Sequence, residues 1–250
     1  MNLKELLAVL KGLAEQHSLK TPYICGGIPR DMLLDGLMNV NDIDITTGYK
    51  DVHVLADLFA KHLNVEPKIF KDGHRKVTFD KYTIDFSTNF VYANIDELLS
   101  DIGVKTDNLL VKETYSRDFT INTLLIPLDF SKIVDITKQG SNDCDNKLLR
   151  CPVNSASAFK ASPNRIVRVF YYAAKYNLNI SSELKEAIRA NTNLLTDVSP
   201  KYATDKISQA LDMRPELLDD LIDLGVLHKL PLTTDISDKL IRQKRLLDVL

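Results

Sequence analysis

The sequence predicts an α+β protein in which a small mixed β-sheet with flanking helices precedes an all-helical region. Up to about residue 137, strand-like alternation and helical periodicity are mixed along the chain. From about residue 155 onward, the apolar spacing is helical throughout. The chain has 250 residues, 44% of them hydrophobic, which is enough to bury a substantial core. We therefore predict two domains, residues 1–137 and 138–250.

The first predicted domain opens with a helix and then alternates strands and helices. A leucine stripe from Leu3 to Leu13 has helical spacing, and another helix is predicted to start within residues 31–35. Residues 52–63 are amphipathic and predict a third helix. Residues 92–113 carry no assignable pattern, and in an active site such a segment is a candidate mobile loop. Strands are predicted at residues 22–25, 42–46, 68–70, 77–79, 83–86 and 133–136.

The second predicted domain is a series of helices. Residues 164–176 predict a long helix with an apolar face and two arginines. Ser182 is predicted to cap the next helix, residues 183–190, because a serine side chain accepts hydrogen bonds from the free amides of a first turn. A small basic cluster near residue 244 fits a solvated face or a contact with a phosphate backbone; it comprises Arg242, Lys244 and Arg245. Further helices are predicted at residues 203–211, 215–224 and 236–250.

Composition excludes several classes of protein. The net charge of −2 argues against a chain that holds nucleic acid with its whole surface, although a local patch stays compatible. Cys25, Cys144 and Cys151 form no C-x-x-C pair, which argues against a disulfide framework or a zinc site. There is no signal-peptide pattern at the N-terminus, and no apolar run approaches the roughly 20 residues of a membrane span. We expect a cytoplasmic protein without membrane contact.

Paired carboxylates give the strongest chemical signal. Asp42 and Asp44 are two residues apart in a predicted strand, so they project from the same face. Carboxylates held this close repel each other unless a cation lies between them, and Mg²⁺ prefers such oxygen ligands. Asp85, in the alternating segment 83–86, is the candidate third catalytic carboxylate. Alone, a D-x-D pair is also typical of solvated strand edges.

A glycine turn precedes the carboxylates. Gly26 and Gly27 lack Cβ atoms and would let the backbone approach a phosphate closely. A helix that follows would offer free amides to the same anion, and Arg30 adds a guanidinium for phosphate oxygens. A Gly-Gly turn alone is often a simple packing turn. Directly before D-x-D, the two patterns share one explanation, a nucleotide phosphate held beside a metal.

Together these residues resemble a known family. Residues 25–36 followed by Asp42-Ile-Asp-Ile are similar to the G-G-x-x-R-D-x-L-L-G … D-x-D signature of class II CCA-adding enzymes and bacterial poly(A) polymerases. Residues 117–122 resemble the R-R-D-F-T-x-N-A motif, and residues 165–175 resemble the D-x-x-R-x-x-R-x-x-R-F-A-A helix. The neck-entry motif has counterparts at Asp135, Gly140, Asp143 and Arg150. The resemblance covers roughly residues 20–225 and implies a nucleotidyltransferase head followed by a helical neck.

The resemblance also implies roles for several residues. It implies that Arg117, Asp118 and Asn122 place the ribose and triphosphate, and that Arg165 and Arg168 face the base or triphosphate. The chain departs from the family at three positions that bear on these motifs. Ser116 replaces the first arginine of R-R-D, Ser162 the base-reading acid, and Tyr171 the last arginine of the helix. Base selection is therefore the property that the resemblance leaves open.

We expect a template-independent RNA nucleotidyltransferase of CCA-adding or poly(A) polymerase type. Its expected ligands are Mg²⁺, held by Asp42 and Asp44, ATP or CTP, and an RNA acceptor such as tRNA. One alternative is an enzyme with relaxed or altered nucleotide choice, which adds A-tails or uses an acceptor other than tRNA. The other is a degenerate, non-enzymatic head that binds nucleotide or RNA. The intact Asp42/Asp44 pair argues against this second alternative.

Overall fold

The computed structural model describes residues 1–34, 40–88, 90 and 92–231 of the chain. The chain forms two compact units, and the sequence boundary between them lies after Asn146. The boundary predicted from the sequence, after residue 137, precedes this position. A mixed sheet with flanking helices in the first unit and a mainly helical second unit confirm the predicted α+β class.

A mixed sheet forms the centre of the first unit. Its strands are β1 (Tyr23–Cys25), β2 (Asp42–Thr46), β3 (Lys68–Ile69), β4 (Arg75–Phe79), β5 (Tyr82–Phe86) and β6 (Ile126–Pro127). Within the described residues their order is β3-β4-β5-β2-β1-β6, and only the β2–β5 pair is parallel. The helices of this unit are α1 (Leu3–Gln16), α2 (Gly27–Leu34), α3 (Asp51–Leu63), α4 (Ile95–Asp101), α5 (Leu109–Tyr115) and α6 (Gly140–Asp145).

Alternation along β2 separates the core from the carboxylates. Ile43 and Ile45 are fully buried, in one cluster with Phe59 of α3 and the leucines of α1. Burying a side chain of this size contributes roughly 1.5–3 kcal/mol, so the cluster fixes the orientation of the strand. Asp42 and Asp44, which alternate with these isoleucines, therefore project from the opposite face of the sheet.

Three local predictions in the first unit differ from the structure, and one edge strand was not predicted. Helix α2 begins at Gly27, ahead of residues 31–35, because a proline such as Pro29 is compatible with a first helical turn. Residues 92–113 contain α4 and part of α5. These helices were not predicted because seven residues are too few to show a clear helical spacing of apolar residues. Residues 133–136 make only an isolated bridge, between Val134 and Leu125, within the described chain. The edge strand β6 was not predicted, because two residues ending in a proline carry no strand period.

Helices dominate the second unit. They are α7 (Ser155–Ala161), α8 (Asn164–Lys175), α9 (Ser182–Ala190), α10 (Pro200–Met213) and α11 (Leu217–Asp223), and they confirm the helices predicted between residues 164 and 224. A short parallel pair joins β7 (Leu148–Leu149) to β8 (Asn179–Ile180). The cap of α9 is Ser181 rather than Ser182, since the Ser181 side chain accepts from the Leu184 amide at 3.2 Å.

Two sequence predictions concern the end of the chain and the membrane. The predicted helix at residues 236–250 and the basic cluster Arg242, Lys244 and Arg245 lie outside the described residues. Across the part of the chain that the structure describes, none of the helices combines the length and the apolar character needed to cross a membrane.

Candidate active site

The paired carboxylates of β2 face a third carboxylate on the neighbouring strand. The parallel register sets Asp44 opposite Asp85, so both side chains lie on the face that also carries Asp42. Asp42 is exposed, whereas Asp44 and Asp85 are partly buried. The structure therefore brings the three predicted carboxylates onto one face of the sheet. Only β2 and β5 contribute them.

A lysine extends the row of charges across the sheet. Lys76 of β4 is opposite Asp85 in the antiparallel register, and its ammonium lies 2.9 Å from Asp85 Oδ2. The other oxygen, Asp85 Oδ1, is buried and accepts no hydrogen bond from the described residues; His74 Nε2 lies 3.8 Å from it. In the described ranges, no group of three or more acidic, histidine or cysteine side chains forms a metal-binding cluster. The metal ligands predicted from the sequence are the Asp42/Asp44 pair.

Burial and nearby charges shift the titration of Asp44. Burial raises the pKa of Asp44, and the nearby carboxylates of Asp85 and Asp42 raise it further, although Arg117 opposes them. Burial also raises the pKa of the adjacent Cys25 thiol to about 12, so Cys25 adds no charge at neutral pH. Hard carboxylate oxygens that repel one another fit Mg²⁺, which commonly takes one or two carboxylates and completes its shell with water and substrate phosphate.

The glycine turn lies directly against Asp44. Gly26 has a φ of +73°, in the left-handed region, and a Cβ atom at this position would overlap Oδ2 of Asp44. Gly27 is the first residue of α2, so the turn leads from β1 into a helix as predicted. A Cβ at Gly27 would lie 3.4 Å from the Arg30 guanidinium, which is ordinary contact. The requirement for glycine is therefore strict at residue 26.

Arg30 connects the glycine turn to the predicted triphosphate motif. Its side chain is 6% exposed. Its Nη1 donates to Asn122 Oδ1 at 2.8 Å, and its Nε donates to Asp31 Oδ1 at 2.8 Å. Asn122 in turn donates from Nδ2 to Asp118 Oδ1 at 2.8 Å. Residues far apart in the sequence thus form one buried network beside the first turn of α2.

Arg117 is fixed by a buried acid that the sequence analysis did not identify. Its Nη2 donates to Glu113 Oε1 at 2.9 Å, and Glu113 also accepts from the hydroxyl of Thr46 at the end of β2. Burial disfavours the charged guanidinium, but the nearby acids outweigh it and raise the pKa of Arg117: the Cys25 thiolate, which forms only at high pH, and the carboxylates of Glu113 and Asp44. The spacing of Glu113 and Arg117, one helical turn apart, was the available signal.

A pocket of about 800 Å³ opens beside Asp44 and Asp85. Its polar lining combines acidic with basic side chains, and its apolar lining is largely aromatic. The sequence analysis missed most of these residues, because their signal is a strand register and a turn rather than a spacing along the chain. Those it did not single out include Lys50, His53, Phe70, His74, Lys76 and Phe90.

The remaining predicted site residues belong to the second unit. Arg165 is 4% exposed in the first turn of α8, and its amide donates to the Ser162 carbonyl at 3.0 Å. Arg168 donates to the Tyr172 hydroxyl at 3.2 Å. Tyr171 contacts Lys206 of α10, whose ammonium lies 4.0 Å from the ring centroid. Arg165, Arg168 and Tyr171 therefore lie on one helix, α8, as the sequence predicted.

Comparison with known proteins follows the same motifs. Residues 22–150 match the family model described as the poly A polymerase head domain. One relative is the tRNA nucleotidyltransferase cca2 of Schizosaccharomyces pombe, 27% identical over 204 residues, which cover 75% of this chain and 42% of the relative. Another is poly(A) polymerase I of Salmonella typhimurium, 26% identical over 197 residues, which cover 71% of this chain and 39% of the relative.

Solved structures share the fold. A tRNA nucleotidyltransferase complexed with a primer tRNA and an incoming ATP analogue is 26% identical, with a TM-score of 0.68 over 88% of this chain and 62% of that one. The CCA-adding enzyme of Thermotoga maritima, complexed with tRNA, is 21% identical with a TM-score of 0.70, over 89% of this chain and 50% of that one. The chain spans roughly 40–60% of the length of the curated relatives described above and of the CCA-adding enzyme of a Geobacillus strain.

Proposed function

Because the chain belongs to the poly A polymerase head domain family, we propose that it is a template-independent RNA nucleotidyltransferase. It transfers nucleotides from an NTP to the 3′ end of an RNA, and tRNA is the acceptor that we propose first. One observation carries this proposal: Asp42 and Asp44 lie on one sheet face, and Asp44 lies directly against the phosphate-type turn at Gly26. Complexes of related proteins with tRNA and an ATP analogue support the choice of substrates.

The reaction is an in-line displacement at the α-phosphate of the NTP. The 3′-hydroxyl oxygen of the RNA forms a bond to the α-phosphorus, and the bond to the bridging oxygen breaks and releases pyrophosphate. Such displacements are catalysed mainly by positioning and by stabilising the charge that develops on phosphate oxygens. The residues of this chain supply the positioning, and each has a proposed place in the site.

On the metal side, Asp42 and Asp44 would hold a divalent ion, and we propose Mg²⁺. Such an ion would stabilise the charge that develops on the phosphate and lower the pKa of the attacking hydroxyl. Asp85 is the candidate third catalytic carboxylate. Its register with β2 places it on the same face as the pair, and it also forms an ion pair with Lys76.

On the nucleotide side, the backbone at Gly26 and Gly27 would receive phosphate oxygens at the start of α2. Arg30 would hold the same phosphates, and its hydrogen bond to Asn122 supports this because both belong to one buried network. We propose further that the sugar and triphosphate are placed by Arg117, Asp118 and Asn122, and the base or triphosphate is faced by Arg165 and Arg168.

Base choice is the least constrained part of the proposal. Ser162 replaces the acid that reads the base in the family, and a serine is shorter and uncharged. A site without the carboxylate loses much of the penalty that an unpaired buried group would impose on the wrong base. We therefore propose weak discrimination between CTP and ATP. Cys25, Cys144 and Cys151 are buried and form no disulfide bond with one another, and we propose a cytoplasmic location.

An extension assay tests the proposal. The protein is incubated with Mg²⁺, each NTP in turn, and either a tRNA that lacks its 3′-terminal CCA or an oligoadenylate. We expect at least one acceptor to be lengthened, and we expect no lengthening with Asp44→Asn. Extension of neither acceptor by the wild-type protein would contradict the proposed activity.

A further inference from the structure

An aromatic surface with both basic and acidic side chains lies beside the carboxylates, on the side away from the glycine turn. We call it the β3–β4 wall and define it by Phe70, Asp72, His74 and Lys76, all of which line the pocket of about 800 Å³. Lys50, at the start of α3, lines the same pocket. None of these residues has a role in the function proposed above except Lys76, which pairs with Asp85. The exposed ring of Phe90 forms part of the same pocket.

The turn between β3 and β4 builds a stacked pair of aromatic rings, which we call the platform. The Phe70 and His74 rings stack with centroids 3.9 Å apart and an interplanar angle of 11°. Two backbone hydrogen bonds close the turn: the Phe70 amide donates to the His74 carbonyl at 3.0 Å, and the Gly73 amide donates to the Phe70 carbonyl at 2.9 Å. The Lys68 ammonium lies 4.8 Å from the Phe70 centroid. The platform is therefore held by the fold and by a neighbouring cation.

Polar contacts fix the wall relative to the carboxylates. His74 Nδ1 lies 2.8 Å from Asp72 Oδ1, while His74 Nε2 points toward Asp85 Oδ1 at 3.8 Å. Arg75 Nε donates to Asp57 of α3 at 2.9 Å, which anchors the start of β4. The aromatic platform thus stands at a defined place next to Asp85.

The order of the strands assigns the wall to one of the two substrates. From β2, the sheet leads through β1 to the glycine turn in one direction, and through β5 and β4 to the wall in the other. In an in-line displacement, the attacking oxygen and the leaving pyrophosphate lie on opposite sides of the phosphorus. If the glycine turn holds the triphosphate, the attacking 3′-hydroxyl must approach from the side of the wall.

From this geometry we infer that the β3–β4 wall binds the 3′-terminal nucleotides of a single-stranded RNA acceptor. The inference rests on the proposed function. Bases stack on the outer faces of the Phe70–His74 pair, and the Lys50 ammonium faces a backbone phosphate, while Lys76 keeps its ion pair with Asp85. Stacking on aromatic side chains within a basic groove is the common way in which proteins hold single strands without reading sequence.

The test measures RNA binding apart from catalysis. A fluorescein-labelled oligoadenylate is titrated with the full chain in EDTA, without NTP, and its anisotropy is followed. Phe70→Ala is expected to weaken binding about tenfold, within the range for loss of one base–aromatic stack, and Phe70→Tyr is expected to restore it. Lys50→Met should lower the salt slope of log K by about 0.7, the contribution of one phosphate on a single strand.

A matched control lies on the same strand. Ile69 is 61% exposed and precedes Phe70 directly. Alternation places the Ile69 side chain on the opposite face from Lys68 and Phe70. Ile69→Ala should therefore leave RNA affinity unchanged. Equal RNA affinity of Phe70→Ala and wild type, or no RNA binding by wild type, would overturn the inference. A loss of ATP affinity in Phe70→Ala without loss of RNA affinity would assign the wall to the NTP and overturn it too.

The outcomes separate this inference from the proposed function. If the wild-type protein extends RNA but Phe70→Ala leaves the KM for the acceptor unchanged, the proposed activity is supported and the proposed role of the wall in RNA binding is wrong. If the wild-type protein binds RNA through Phe70 yet extends no acceptor, the role of the wall in RNA binding is supported and the proposed activity is wrong.

Discussion

Replacing Gly26 with alanine tests the link between the glycine turn and the metal-binding carboxylates. Gly26 has a φ of +73°, and an alanine Cβ there would overlap Oδ2 of Asp44. A left-handed conformation costs a residue other than glycine roughly 1–2 kcal/mol. The overlap adds a second cost, because either the turn or the Asp44 side chain must move.

Gly103 separates these two costs. Its φ is +76°, nearly that of Gly26, but a Cβ at Gly103 meets no atom within 4 Å. Gly103→Ala should therefore lower the free energy of unfolding by roughly 1–2 kcal/mol, or about 2–8 °C in Tm, with kcat/KM unchanged. Gly26→Ala should lose at least as much stability and, in addition, about a hundredfold in kcat/KM, because small displacements of positioning groups have effects of that size.

The assays are urea denaturation, Mn²⁺ binding and steady-state extension of an RNA acceptor, each on wild type and both variants. If the added Cβ displaces Asp44, Gly26→Ala should weaken Mn²⁺ binding, whereas Gly103→Ala should not. The reasoning is refuted if Gly26→Ala keeps kcat/KM and Mn²⁺ affinity within about threefold of Gly103→Ala, a difference of roughly 0.65 kcal/mol.

Three further substitutions test separate parts of the site. Asp44→Asn should abolish nucleotide addition in the extension assay. In metal-free buffer, the free energy of unfolding of Asp44→Asn should rise relative to that of wild type as the pH rises through the raised pKa of Asp44, because ionising that buried carboxyl opposes folding. Urea denaturation of both proteins from pH 3 to 8 measures this difference. Arg30→Ala should lower stability by roughly 1–3 kcal/mol, because Asp31 and Asn122 lose a buried partner. It should weaken binding of all four NTPs alike in equilibrium titrations, and a loss confined to one base would show that Arg30 reads the base. Ser162→Asp should sharpen the discrimination between CTP and ATP, measured as kcat/KM on one acceptor; a wild-type preference above about a hundredfold, roughly 2.7 kcal/mol, contradicts a relaxed site.

Local patterns predicted the residues whose geometry depends on one strand or one turn. Alternation placed Asp42 and Asp44 on one face, and the structure sets them there because Ile43 and Ile45 are buried on the other. The Gly-Gly turn into a helix was predicted because glycine, without a Cβ atom, allows a close approach of the backbone; in the structure Gly26 has positive φ and lies against Asp44. These features follow from spacing along the chain alone.

Features that depend on register between strands could not be predicted in the same way. Lys76 reaches Asp85 only because β4 and β5 pair in one particular register. The platform of Phe70 and His74 depends on a turn whose two ends stack, and nothing in the spacing of the two residues specifies that contact. Glu113 lay within the unassigned segment, although its spacing from Arg117 is helical.

The fate of the two ends of the NTP tests the central claim most directly. The protein is incubated with Mg²⁺, an RNA acceptor, and ATP or CTP labelled either at the α-phosphate or at the γ-phosphate. Transfer by attack of the RNA 3′-hydroxyl predicts that the α-label enters RNA and the γ-label appears in pyrophosphate in equal amounts, and that both are lost with a 3′-deoxy acceptor and with Asp42→Ala. Release of γ-label as inorganic phosphate, or incorporation that persists in Asp42→Ala, would contradict the assignment of this chain as a nucleotidyltransferase.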